Sequence, residues 1–200
     1  MTSTLTRSRR PIAIAVAGGV AIVAALVFWR VNGEAATTVP YDDGQSAGLL
    51  TLCSADGKAV TAGKVDDSPF ADIVLGETAL PSDLDPTGAV ATLYAYQPRE
   101  GVAASEFSGN ALTAAVGFAD PDQPAARVDD GAWTIGDFVT AFPADYDGYV
   151  QLRLVLGTPE AGTLSDQPYD TADLRVDGDS WELVRGGTAS CADAESALLP

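Results

Sequence analysis

The chain has no histidine among its 200 residues, two cysteines, and 11 Lys+Arg against 28 Asp+Glu, for a net charge of −17. Each shortage excludes something. Without an imidazole there is no Ser/His/Asp triad, no Cys/His dyad and no His-liganded zinc or copper site. The excess of acid repels phosphate backbones, so nucleic acid is excluded as a partner. There is no phosphate-cradling glycine loop and no G-x-S-x-G turn.

Basic residues are also unevenly placed. Residues 1–30 hold four arginines and no acid, so the other 170 residues carry 7 basic and 28 acidic side chains, a balance of −21. A length of 170 suits one domain with a sizeable core. Pro11 to Trp29 is a 19-residue run without a charge, bracketed by Arg10 and Arg30. As a helix it covers roughly 28 Å, close to the roughly 30 Å of a bilayer's hydrocarbon core. Arg7, Arg9 and Arg10 before it and acids from Glu34 onward predict a single span at residues 11–29, with residues 1–10 cytoplasmic and the rest of the chain outside. Phe28 and Trp29 fall at its outer end, where aromatic rings favour the headgroup layer. A cleaved signal peptide is the competing reading, and Gly33-Glu34-Ala35 supplies small residues for a peptidase. Signal h-regions run about 7 to 15 residues, so the length favours an uncleaved anchor; both readings export the domain.

Residues 30–46, ending in TTVPYDDGQS, lack periodicity and read as a flexible tether. An exported domain is expected over 47–191, with a tail at 192–200. Short apolar runs between Asp/Gly/Pro clusters predict an all-β fold, an immunoglobulin-like sandwich with one short helix. Expected strands are 48–54, 59–65, 71–75, 89–97, 111–118, 149–157, 172–176 and 181–185. In Tyr149 to Leu156, Val150, Leu152, Leu154 and Leu156 point one way and Gln151 and Arg153 the other, as in a strand with one face in water. Asp56-Gly57 and Asp177-Gly178 mark hairpins. Ile135, Phe138, Val139 and Phe142 recur at helical spacing; Thr134 with Asp137 approximates a capping box, and Pro143 ends the helix. Tyr149 is placed to act as a corner tyrosine of an immunoglobulin-like fold.

Cys53 and Cys191 sit at opposite ends of the expected domain, and two thiols in an oxidising exterior are expected to pair. A redox-active pair would usually read Cys-x-x-Cys.

Carboxylates are the remaining acid/base groups, 21 aspartates and 7 glutamates. A glycosidase needs two of them facing across a cleft at roughly 5 to 9 Å. Glu106 and Glu182 are the least turn-like, although Glu182 reads as a solvent-facing strand residue beside Trp181. Asp83-Leu84-Asp85-Pro86-Thr87-Gly88 copies the opening of a calcium loop, but its twelfth position is Tyr94, so an ordinary turn is expected; Asp145 and Asp147 are read likewise. No cofactor or metal is expected. Of the rings at Trp133, Trp181, Tyr94, Tyr96, Tyr146, Tyr149 and Tyr169, the pair Tyr94 and Tyr96 shares a face and is the candidate ligand surface, while Trp181 is expected in the core.

LTLCSADGKAVTAGKV with SPFAD (within 49 to 72), ATLYAYQPREGV (91 to 102) and FPADYDGYVQLRLVLGTP (142 to 159), with a closing Asp-Gly hairpin and cysteine, resemble a family of actinobacterial single-pass membrane proteins with an exported β domain and no assigned activity. The resemblance spans roughly residues 48 to 191. It implies an exported location and the domain limits, and it carries over no catalytic or binding residue. The expected function is a non-catalytic cell-envelope interaction or scaffold module, held in the bilayer by residues 11–29 and binding an envelope protein or glycan. The alternative is a carboxylate-dependent carbohydrate-active or wall-modifying enzyme, and a calcium-dependent binding module is a third possibility.

Overall fold

A computed structural model describes residues 38–199. The expected span at 11–29 lies outside the described residues, and among the described residues no helix is long and apolar enough to cross a membrane.

The fold is an all-β sandwich of two sheets with one short helix. In the larger sheet the path runs β3 (Ala62–Lys64), β12 (Ser180–Arg185), β11 (Tyr169–Asp177), β9 (Tyr149–Thr158), β5 (Val90–Gln97), β6 (Ser108–Ala111). Three short strands attach to it: β1 (Ser46–Leu49) on β11, β7 (Val116–Gly117) on β5, and β10 (Gly162–Thr163) on β9. The smaller sheet is β2 (Thr51–Cys53), β4 (Ile73–Leu75) and β8 (Ala125–Arg127). Neighbours are antiparallel except for β1 on β11. Leu50 separates β1 from β2, so the chain passes from one sheet to the other within a single residue.

Side chains alternate along a strand, so register decides which of them share a face. Leu152 lies between Ala95 and Ala172, Leu154 opposite Leu93, and Val150 opposite Leu174, and all of these are buried between the sheets. The smaller sheet supplies Leu52, Val74 and Ala126 to the core. Trp181 is 2% exposed and meets Phe70 edge to face at 6.3 Å, the core position expected of it.

The local sequence signals hold where they are strongest. Helix α1 runs Ile135–Ala141, its Thr134 hydroxyl accepts from the Asp137 amide, and the Asp137 carboxylate accepts from the Thr134 amide. Ile135 and Phe138 are fully buried, so the helical spacing marks a real apolar stripe. Asp177 pairs with Ser180 across a tight turn in which Gly178 has φ 59°, a conformation that disfavours a side chain. At the other predicted hairpin Cys53 bridges to Ala59, with Gly57 at φ 73°. The cysteines form the expected disulfide, Cys53–Cys191, with Cα atoms 5.4 Å apart.

Several expectations need correcting. Of the strand expected over 111–118 only Ala111, the end of β6, and the two residues of β7 are in strands, and most of β6, with β8 and β10, lies where no strand was expected. The tail after Cys191 is folded: a 3-10 turn, Ala194–Ala197, packs on the smaller sheet, Leu198 bridges to Phe118, and the Leu199 amide donates to Gly117. A two-pronged contact between Arg127 and Glu195 holds this turn. At the other end, residues 40–46 are docked on the domain and are not free tether. Among the described residues the Tyr149 hydroxyl makes no hydrogen bond of the corner kind expected of it: its ring lies edge-on to Tyr41 at 6.1 Å, and it is the Tyr146 hydroxyl that bonds, donating to the Pro40 carbonyl at 3.1 Å.

Candidate functional site

The outer face of the larger sheet carries the most concentrated polar chemistry in the domain. Cross-strand pairing sets Tyr94, Arg153 and Thr171 in one row and Tyr96, Gln151, Asp173 and Arg185 in the next. Alternation correctly puts Gln151 and Arg153 on the face opposite the core, but that face is not in water. Gln151 is 0% and Arg153 4% exposed, because residues 40–46 cross over them as a strap and the 104–107 turn closes one side.

Arg153 is the centre. Its guanidinium donates to Gln151 Oε1 at 2.7 Å and to the Ala104 carbonyl at 2.9 Å, and it lies 3.5 Å from the Asp43 carboxylate. Its charge also sits 3.9 Å from the centre of the Tyr96 ring and 4.8 Å from that of Tyr169. A desolvated guanidinium needs compensation from several sides at once, and here it has a carboxylate, two neutral acceptors and two ring faces. Asp43, from the strap, also accepts from the Tyr169 hydroxyl at 3.1 Å. Both members of this ion pair have side chains no more than 5% exposed.

Beside it lies a second pair. Asp173 accepts from Arg185 Nε at 2.6 Å and, on its other oxygen, from the hydroxyl of Tyr41 in the strap. The Tyr41 ring packs edge-on to Phe107 at 5.4 Å. Further along, the Ser46 and Thr171 hydroxyls share a hydrogen bond and the Tyr169 amide donates to the Gln45 carbonyl. Two carboxylates thus meet two guanidiniums, and their formal charges balance.

Burial moves the protons in this cluster. It raises the pKa of Tyr41, with Asp173 adding to the effect, and it raises that of Tyr169 against the opposing charge of Arg153. Burial also raises Asp173 above its ordinary 3.8, outweighing Tyr41 and Arg185, which favour its ionised form. A raised carboxyl pKa means that the native state holds the proton more tightly than the unfolded chain does. The stabilising contribution is therefore fully present below the unfolded value and is lost as pH rises through the folded one. We expect Asp173→Asn, which does not titrate, to lose the part of the parent's pH dependence in which the urea midpoint falls as pH rises above the ordinary carboxylate range; a variant whose profile runs parallel to the parent's contradicts the assignment. Surface acids act in the opposite sense: Lys58 lowers Asp56, Lys64 lowers Asp179 and Arg127 lowers Glu195, all at exposed positions.

Of the residues singled out in the sequence, Tyr94 and Tyr96 fall at this cluster. Tyr94 and Tyr96 are neighbours on the outer face, ring centres 6.2 Å apart, each half-buried. Tyr96 is a wall of the Arg153 pocket, whereas Tyr94 is not among the rings over its guanidinium. Asp85 accepts from the Thr87 amide at 2.9 Å within its own turn. Glu106 and Glu182 are both exposed, on a 3-10 turn and on β12. Among the described residues no group of three or more Asp, Glu, Cys or His side chains is arranged to hold a metal ion. Asp170, fully inside the domain, accepts from the amides of Glu77 and Thr78 and fastens the loop after β4.

The fold and site together define a disulfide-closed two-sheet β domain whose larger sheet carries a buried ion network under its own N-terminal strap. No family model, no curated protein and no solved structure matches the chain.

Proposed function

We propose that the chain is a single-pass membrane protein, N-terminus cytoplasmic and anchored by residues 11–29, that holds an immunoglobulin-like domain outside the cell as a non-catalytic envelope interaction or scaffold module. The disulfide carries the reading. Cys53 and Cys191 are the only cysteines, and a bridge of this kind persists in oxidising compartments, which is where the arginine-flanked apolar run would deliver the domain. The immunoglobulin-like assignment is supported by two sheets over one core and by a helical turn that leads through residues 143–148 into the long strand β9. The resemblance to exported actinobacterial domains points the same way. Tyr94, half-exposed beside Tyr96, offers a flat apolar ring to an envelope protein or glycan. Protease added to intact cells that express the chain tagged at both ends is expected to destroy the C-terminal tag and spare the N-terminal one. A C-terminal tag protected until the cells are lysed overturns the topology.

A further inference from the structure

We propose that the outer face of the larger sheet is a recognition site for an acidic peptide segment with the pattern Tyr-x-Asp, and that the chain fills this site in cis with its own Tyr41 and Asp43. Three observations separate a receptor from a ligand here. The receptor half is held in place without the strap: Arg153 is fixed by Gln151, by the Ala104 carbonyl and by the Tyr96 and Tyr169 rings, and Arg185 by Asp173, all on strands or turns set by the sheet's own ladder. Residues 40–45 lie outside any strand, and they reach the sheet chiefly through side chains, Tyr41 to Asp173 and Asp43 to Arg153 and Tyr169. The face also has donors to spare, since Gln151 Nε2 and one Arg185 nitrogen, Nη2, are buried without an acceptor among the described residues.

The chemistry sets what fits. Arg153 takes a carboxylate, the rings of Phe107 and Tyr149 take an aromatic side chain edge-on, and Asp173 with Arg185 takes a phenol hydroxyl. A neutral or basic segment would leave Arg153 buried without its counter-charge. Because the strap is joined to the domain, it competes at a high effective concentration, and a segment from another protein binds only in the fraction of molecules whose strap is undocked. This inference concerns a different surface property from the topology above and stands whether or not the domain is exported.

The test uses the full chain carrying Tyr41→Ala and Asp43→Ala, with a fluorescent synthetic peptide TVPYDDGQS, residues 38–46, as probe. The variant is expected to bind it saturably and the parent on the order of tenfold or more weakly. Adding Arg153→Met to the variant, or changing the tyrosine and second aspartate of the peptide to alanine, should abolish binding. Equal binding by parent and variant, or none by a variant with native near-UV circular dichroism, overturns the proposal. If the double variant does not fold, Asp43→Asn replaces it, read by hydrogen exchange: faster exchange at the Ser46 and Tyr169 amides with β5 and β9 unchanged supports a detachable strap, and loosening throughout the sheet refutes it.

Discussion

A chain with both Cys53→Ala and Cys191→Ala is expected to melt about 10 °C or more below the parent, from loop-closure entropy and the heat response of a domain this size. The bridge joins residues 138 apart, and closing a loop of that length in the unfolded chain corresponds to roughly 5 kcal/mol, reduced where the denatured state keeps structure. For a domain of this size each kcal/mol moves Tm by about 2 to 4 °C. Cys53 is fully buried in β2 and Cys191 nearly so, and truncation to alanine removes packing as well as the link. Scanning calorimetry with and without reductant gives the measurement. Unchanged melting after complete reduction, confirmed by thiol labelling, would show that the sheets hold the ends of the domain together without the bridge.

Arg153→Met is expected to cost up to about 3 to 5 kcal/mol, the loss when one member of a buried ion pair is removed and the other stays charged in a dry site, and less to the extent that the strap undocks and carries Asp43 into water. Here the residue left behind is Asp43, which would keep the Tyr169 hydroxyl and the Gln45 amide but no positive charge, while Gln151 Oε1 and the Ala104 carbonyl would each lose a donor. The paired change Arg153→Met with Asp43→Ala should cost less than the sum of the two single changes by at least about 1 kcal/mol, because it removes the stranded charge. Urea unfolding of the four proteins closes the cycle. Additive losses would mean that the 3.5 Å separation between the two groups carries no coupling.

What the sequence reveals depends on whether the cause of a feature is local. The helix at 135–141 is written in residues that touch one another: its cap, its apolar spacing and its proline stop all lie within ten positions. The Asp-Gly hairpin between β11 and β12 is equally local, and the disulfide follows from there being two cysteines and one domain. The strap has no such signature. Tyr41 and Asp43 sit in an acidic, aperiodic stretch, and their partners are more than 100 positions away, at Asp173, Arg153 and Tyr169. Alternation in β9 assigns Gln151 and Arg153 to one face correctly, yet it cannot tell a face in water from one covered by a distant segment. An arginine in mid-strand with tyrosines on the same face of the neighbouring strand is ordinary in water, so the pairing of Arg153 with that face carries no local signal of burial. The folded tail was hidden for a similar reason, since Ala194, Ala197 and Leu198 bury modest side chains on a sheet formed from the other end of the chain.

The bridge between Cys53 and Cys191 also sets how the domain answers a pull on its two ends. Force entering at the N-terminal side reaches Cys53 after peeling the strap, β1 and the start of β2, and then passes across the sulfurs to Cys191 without loading the residues in between. The stretch from residue 38 to residue 53 gives at most about 50 Å when fully extended, and the loop closed by the bridge adds nothing further. Under tension such a domain lengthens by two short, bounded steps, one on each side of the bridge: the N-terminal step uncovers the outer face of the larger sheet and draws Leu50 and Leu52 from the core, the C-terminal step peels the folded tail after Cys191, and residues 53 to 191 carry no load.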